Sequence, residues 1–371
     1  MTQPHLPRYG GSSVADLLPS VGAQWGMPGE DRLGLPASDR YVVLLIDGLG
    51  ADALARHAEL APFLSGVADR RVITCGVPTT TATSITSLGT GLVPGAHGIA
   101  GYTFWYPPAG DVLNALRWPA DISGLDVQPQ LTYFERLNGA GIHTAAVAPA
   151  AFADSGLTTV ALRGASFWPV DDERDLDRRA ELVAAAVLSG DRNLTYCYER
   201  SLDHTGHGQG VDSEAWRSTL TTVDALAARV RAGLPDDIRL VVTADHGMVD
   251  VAPDRRVIVE DVPGLLSGVT AFAGEGRFRQ LKVARGRTDE VADRWRELLG
   301  ERAWVRTRDE AEAEGWFGPL TPRLADRFGD VVVAMADDGA VLTRTLPGEL
   351  RLVGMHGSLT AAELEIPLLV A

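Results

Sequence analysis

The chain has 371 residues, 45% of them hydrophobic, with 34 Lys and Arg against 49 Asp and Glu. Those proportions exclude a disulfide-stapled miniprotein, a collagen-like repeat and a disordered acidic tail. A formal net charge of −15 also argues against polymeric nucleic acid, which needs many Lys and Arg to displace its counterions, while a small anion remains open where a metal ion reverses the local field.

In chain order, residues 1–40 are rich in Pro and Gly and read as an N-terminal surface arm. No basic segment leads into an apolar stretch there, and no run approaches the ~18 apolar residues that a membrane span needs. The expectation is a soluble cytoplasmic protein. From Tyr41 onward, short β-branched runs alternate with Ala- and Leu-rich stretches at helical spacing. Predicted strands are Tyr41 to Ile46, Arg71 to Val77, His143 to Ala148, Leu194 to Tyr198 and Arg239 to Thr243, with Val331 to Met335 and Ile366 to Val370 closing the set. Predicted helices are Ala51 to His57, Thr132 to Asn138, Leu176 to Leu188, Ser213 to Ala232 and Asp289 to Leu299. The alternation predicts an α/β fold, a central mainly parallel sheet with helices on both faces.

Between Val251 and Leu352 the alternation loosens and charge rises, so residues 251–329 read as a smaller inserted cap subdomain between core segments 41–250 and 330–371. The basic stretch Arg277 to Arg287 reads as a solvated face, with approach to a second phosphate as its functional alternative. Cys75 and Cys197 lie in apolar runs and read as buried thiols.

Three predicted strands lead into acidic residues followed by loop chemistry: YVVLLID ending at Asp47, LTYCYERSLDHTGH with Asp203 and His207, and LVVTADH with Asp245 and His246. Ligands of open α/β sheets bind beyond the carboxyl ends of the strands, so these carboxylates converge on one edge. Each alone is explained as a turn or a helix cap. Together with His356 in GMHGS they form an Asp/His set that suits zinc, with manganese or iron as alternatives. Residues 77–99 (VPTTTATSITSLGTGLVPGAHGI) add the hydroxyls of Thr79, Thr80, Thr81, Thr83 and Ser84 at a helix start. A helix dipole is worth at most ~2 kcal/mol. Zinc moves the pKa of bound water by about 9 units, roughly 12 kcal/mol, so a metal dominates the activation of any such hydroxyl.

In this order the motifs LLIDGLG, PTTT with TGLVPGAHGI, SFWP at Ser166 to Pro169, DHTGH, ADHGM and MHG resemble the alkaline phosphatase superfamily, and most of all its type I nucleotide pyrophosphatase/phosphodiesterase branch. The resemblance runs from about Tyr41 to the C-terminus. It implies that Thr81, three residues after Pro78 and nine before Thr90, is the nucleophile. It further implies two divalent cations, one held by Asp47, Thr81, Asp245 and His246 and the other by Asp203, His207 and His356, and a phospho-threonine intermediate. His204 competes with His207, but the family's D-x-x-x-H spacing favours His207. A sulfatase would need Cys or Ser at Thr81, with Pro and Arg where Thr83 and Ile85 stand.

The sequence departs from the family after His97-Gly98-Ile99, where an Asn normally donates to phosphate; Tyr102 and Thr103 are the nearest substitutes. Ala82 also replaces the usual aromatic residue after the nucleophile. Phe167 and Trp168, with Phe104, Trp105 and Tyr106, form either a stacking wall for substrate or ordinary packing. His97 reads as a structural support. The expected substrate is a small phosphate diester, nucleotides included, with neither polymeric nucleic acid nor membrane as partner. The alternatives are a phosphomonoesterase or phosphonate hydrolase on the same site, or a non-catalytic metal-binding scaffold.

Overall fold

Tyr41 to Ile46 carries no charged residue and is buried at every position, as a strand covered on both faces requires. In the computed structural model, which describes residues 3–371, it lies at the centre of a seven-stranded sheet. The strand order is Asp69–Thr74, Glu365–Val370, Arg239–Thr243, Arg40–Ile46, Asn193–Glu199, His143–Pro149 and Ser166–Val170. The last five run parallel, whereas Glu365–Val370 runs antiparallel to both its neighbours. Helix Leu176–Val187 packs across three of the central strands, and other helices surround the sheet. Cys75 and Cys197 are free and buried.

Two features depart from the sequence reading. Val331–Met335 does not close this sheet; it belongs to a four-stranded antiparallel sheet ordered Val269–Glu275, Phe278–Val283, Val331–Met335 and Ala303–Thr307. That second sheet thus reaches past residue 329, and helix Thr288–Leu299 buries Val291, Ala292, Trp295 and Leu299 beside it. The seventh strand of the main sheet is instead Ser166–Val170, an edge strand whose half-exposed SFWPV lacks an apolar run and contains a Pro, as an edge allows.

Residues 1–40 also do more than lie on the surface. Val14, Leu17, Leu18 and Val21, each at most 1% exposed, lie on one face of the turn Val14–Asp16 and helix Leu17–Gln24. Their i, i+3, i+4, i+7 spacing is that of an amphipathic helix, and Pro19 is tolerated in its first turn. This face packs against helix Thr81–Thr90.

Helix Thr81–Thr90 starts after the N-cap Thr80 and ends at Gly91 in the left-handed region (φ 68°) that Gly adopts without a Cβ penalty. Its Ser87 hydroxyl meets His97 Nε2 at 2.9 Å, while His97 Nδ1 accepts from the Ile99 N–H at 3.1 Å. An accepting Nδ1 places the proton on Nε2, so Ser87 accepts from a neutral ring. Burial, then Arg327, holds the His97 imidazole down at about 3.

The second sheet is tied to the core by buried charge. Arg277 and Glu363, both 0% exposed, pair in a bidentate contact at 2.8 Å for each bond. Glu363 also accepts from the Ser358 N–H and the Thr360 hydroxyl, while Arg277 donates to the carbonyls of Asp337 and Gly339. Arg279 pairs with Glu349 in the same layer. The basic stretch from Arg277 is therefore neither solvated at these two positions nor available to a phosphate.

Glu363→Ala leaves the Arg277 guanidinium buried without its partner, and is expected to cost about 3–5 kcal/mol in urea unfolding. His97 makes stability fall with acid, because its folded pKa lies below its unfolded value. Its contribution is complete above about pH 6.5 and is lost toward pH 3 at up to about 1.4 kcal/mol per pH unit. His97→Gln is expected to flatten that slope in unfolding measured from pH 7 to pH 4.

Candidate active site

Strand ends deliver the acidic groups to one edge. Asp47 follows Arg40–Ile46 directly, and its N–H donates to the Glu199 carbonyl at 2.8 Å, extending the ladder one residue. Asp245 lies two residues beyond Arg239–Thr243. Asp203 and His207 stand at i and i+4 on helix Ser201–Gln209, which places both on one face. Gly48 occupies the left-handed region (φ 76°), and a Cβ there would come within 3.0 Å of the Asp203 backbone, so only Gly lets the two segments approach.

Potential ligand atoms of Asp47, Asp245 and His246 lie within 4.8 Å of one another, and those of Asp203, His207 and His356 do likewise. Thr81 Oγ1 stands 3.3 Å from His246 Nε2 and 3.5 Å from Asp47 Oδ2. The structure thus brings all seven sequence-selected residues into two adjoining groups. The other hydroxyls of the Thr-rich turn point elsewhere. Thr79 donates to the Ser358 carbonyl, Thr80 to Glu275, and Thr83 to the Ile99 carbonyl, while the Ser84 oxygen is buried without a partner.

The hydrogen bonds of the three imidazoles fix their orientation. His207 Nδ1 lies 2.8 Å from the Gly354 carbonyl, His356 Nδ1 2.8 Å from that of Thr79, and His246 Nδ1 3.0 Å from that of Gly247. Carbonyls only accept, so each Nδ1 carries a proton and each ring turns its Nε2 into the site. Those Nε2 atoms face carboxylate oxygens: His207 Nε2 lies 3.3 Å from Asp203 Oδ1, and His246 Nε2 lies 3.4 Å from Asp47 Oδ1 and 3.5 Å from Asp245 Oδ2. Burial, then the neighbouring His246 and His207, holds His356 well below the usual imidazole range. The rings of His246 and His356 stack at 3.7 Å, where two charged rings would repel.

Asp47 Oδ1, Asp203 Oδ1 and Asp245 Oδ2 are buried with no hydrogen-bond partner, while the second oxygen of Asp245 accepts from the Gly48 and His246 N–H groups. Burial, then the Asp245 and Asp203 carboxylates, pushes Asp47 well above the usual carboxylate range; burial likewise raises Asp245. The residues present therefore fit divalent metal ions, which offset several buried negative charges at once. The Nδ1 contacts to carbonyls are the outer support that metal-binding imidazoles ordinarily have.

Sequence reasoning missed several members of this site. Tyr198 donates its hydroxyl to Asp47 Oδ2, and burial, then Asp47, keeps its phenol well above the usual range. Its signal was the alternation of Leu194, Tyr196 and Tyr198 along a strand that points at the site. Glu275, in the strand Val269–Glu275, accepts from Thr80 and lies 3.4 Å from His356 Nδ1, with its carboxyl well above the usual range because of burial. No local pattern marks it.

A cavity of about 220 Å³ opens beside Thr81, Asp47 and Asp203, with Leu116, Phe152, Leu157, Leu162, Tyr196 and Tyr198 in its wall. The proposed substrate residues are not in that wall. Thr103 spends its hydroxyl on the Gly274 carbonyl at 2.7 Å, and Tyr102 lies at the entry to the hairpin Thr103–Tyr106 and Asp111–Asn114. Phe167 and Trp168 pack on the core from the edge strand, while Phe104 and Tyr106 are buried. Among the described residues, no helix is long and apolar enough to cross a membrane.

Comparison with solved structures places this architecture. Murine ectonucleotide pyrophosphatase/phosphodiesterase 5 is 20% identical with a TM-score of 0.70, over 89% of this chain and 87% of that one. An inactive form of the same mouse protein is in complex with AMP. Phosphonoacetate hydrolase from Sinorhizobium meliloti, in complex with phosphonoformate, is 20% identical with a TM-score of 0.68, over 89% of each chain. At that identity the likeness establishes the fold. Membership follows from the sequence itself, because the profile of type I phosphodiesterase/nucleotide pyrophosphatase matches residues 41–359. The chain belongs to the type I phosphodiesterase/nucleotide pyrophosphatase family and is a metal-dependent phosphoric ester hydrolase.

Proposed function

We propose that the protein hydrolyses small phosphoric diesters through Thr81, in a centre that takes two divalent cations. The observation that carries this reading is the convergence of three imidazole Nε2 atoms and the unpartnered carboxylate oxygens of Asp47, Asp203 and Asp245 beside the Thr81 hydroxyl. Asp47, Thr81, Asp245 and His246 would hold one cation and Asp203, His207 and His356 the other, with zinc suited to the mixed oxygen and nitrogen donors. Bound there, such ions lower the pKa of a coordinated hydroxyl and offset charge on phosphoryl oxygens.

The chain supplies the nucleophile and its alignment. Thr81 opens a helix, so its oxygen sits at the positive end of the dipole. The Thr81 oxygen forms a bond to phosphorus as the bond to one ester oxygen breaks; that oxygen leaves as an alcohol, taking up the proton Thr81 gives up, and a phospho-threonine remains. Water then bonds to phosphorus as the bond to the Thr81 oxygen breaks, a water proton restoring the Thr81 hydroxyl while the phosphomonoester departs. Tyr198 holds Asp47 Oδ2 in place, and the carbonyls of Gly354, Thr79 and Gly247 hold the three imidazoles. No Arg or Lys lies between Pro78 and His97, which favours the diester over the more highly charged monoester.

Thr81→Ala is expected to lower turnover of bis(p-nitrophenyl) phosphate by at least about 10³-fold while bound metal stays near the wild-type amount. Full activity of that variant would refute the nucleophile assignment. Asp245→Ala is expected to lose both metal and activity, measured by elemental analysis of the same preparations. A more than tenfold preference for p-nitrophenyl phosphate over the diester would reassign the protein as a monoesterase.

A further inference from the structure

The wall of the cavity beside Thr81 is built to leave few polar groups free. Ser155 and Thr158 hydrogen-bond each other, Ser155 also caps the following helix through the Thr158 N–H, and Thr158 donates to the Phe152 carbonyl at 2.6 Å. Tyr198 is committed to Asp47. Arg200 grips Glu173 through two parallel contacts, Nη2 to Oε1 at 2.7 Å and Nε to Oε2 at 2.9 Å, and its guanidinium lies 5.9 Å from the Phe152 ring centre. The exposed His204 completes the rim. Beyond that His204 and the carboxylates of Asp47 and Asp203, the Tyr196 hydroxyl remains, buried with no partner. The rest of the wall is Leu116, Phe152, Leu157, Leu162, Ile85 and Ala148, and Leu116 stands half-exposed at the mouth.

A substituent on phosphorus that enters this space meets carbon surface, one neutral phenol and an arginine already paired. Away from the cation-binding residues, a second phosphate would have to compete with Glu173 for Arg200, the one Arg of the wall. A nucleoside would bury several polar groups for which the wall offers few partners, chiefly Tyr196 and His204, and unmet buried polar groups are costly. An apolar cavity of about 150 Å³ accepts benzene. The cavity here, about 220 Å³, matches one ring with a small substituent.

We infer that this cavity is the subsite for an uncharged, largely apolar arm of the phosphate ester, of monocyclic aryl or compact alkyl size, and that the preferred substrates are aryl or alkyl phosphodiesters rather than nucleotides. The inference rests on the diesterase reading and names the substrate class of that site.

Calorimetric titration of the metal-loaded protein with methylphosphonate, phenylphosphonate and thymidine 5′-monophosphate tests it without any turnover. Phenylphosphonate is expected to bind at least tenfold more tightly than either of the others. Phe152→Ala is expected to remove most of the phenyl preference while methylphosphonate affinity stays within twofold. Leu157→Asn provides an independent variant should Phe152→Ala unfold. Equal binding of methyl and phenyl ligands, no binding of any of the three, or tighter binding of the nucleotide overturns the subsite. The diesterase reading falls separately, if neither bis(p-nitrophenyl) phosphate nor a nucleotide ester is cleaved although phenylphosphonate binds.

Discussion

Three imidazoles and three carboxylates crowded at one sheet edge, several of the carboxylate oxygens without a donor, make an unstable arrangement on their own. His207, His246 and His356 cannot relieve it by turning, because each Nδ1 proton is committed to a backbone carbonyl. Gathering Asp47, Asp203 and Asp245 in a poorly hydrated edge carries a Coulombic cost, which a cation bound among them would offset. The rest of the molecule reads as a scaffold that holds this frustrated cluster together. Parallel strands with buried flanks bring the carboxylates to a common edge, and a helix start brings Thr81 against them.

Much of this was legible along the chain, and the reasons differ from residue to residue. Asp47, Asp203 and Asp245 each follow an apolar strand, so the rule that sites form at carboxyl ends of strands suffices to group them. Thr81 stood among five hydroxyls, and only the spacing shared with a family singled it out. In the structure its hydroxyl faces Asp47 and His246, whereas those of Thr79, Thr80 and Thr83 go to the Ser358 carbonyl, Glu275 and the Ile99 carbonyl. Six of the seven main strands were also visible as β-branched runs.

What could not be read depends on tertiary pairing. Val331–Met335 is as apolar as any central strand, and nothing in VVVAM states which sheet it enters. Ser166–Val170 is half-exposed at an edge, so it lacks the burial that makes a strand conspicuous. Arg277 and Arg279 sit in a charged stretch that resembles surface, yet their partners Glu363 and Glu349 lie 86 and 70 residues away. Tyr102, Thr103, Phe167 and Trp168 were chosen by analogy of position, and Phe152 with Leu157 occupies the wall in their place.

The turn that carries Thr81 is stitched to the second sheet as well as to the first. Thr80 leans on Glu275, Thr79 is bonded to the Gly357 and Ser358 backbone, and Ser358 is anchored by the same Glu363 that Arg277 grips. The inserted region is therefore no interchangeable module. A chimera carrying a different insertion would have to reproduce a carboxylate at the place of Glu275 and a guanidinium at that of Arg277. Lacking either, it would inherit the ligands of the centre in the right order along the chain, with the reactive alcohol resting on a seat cut for something else.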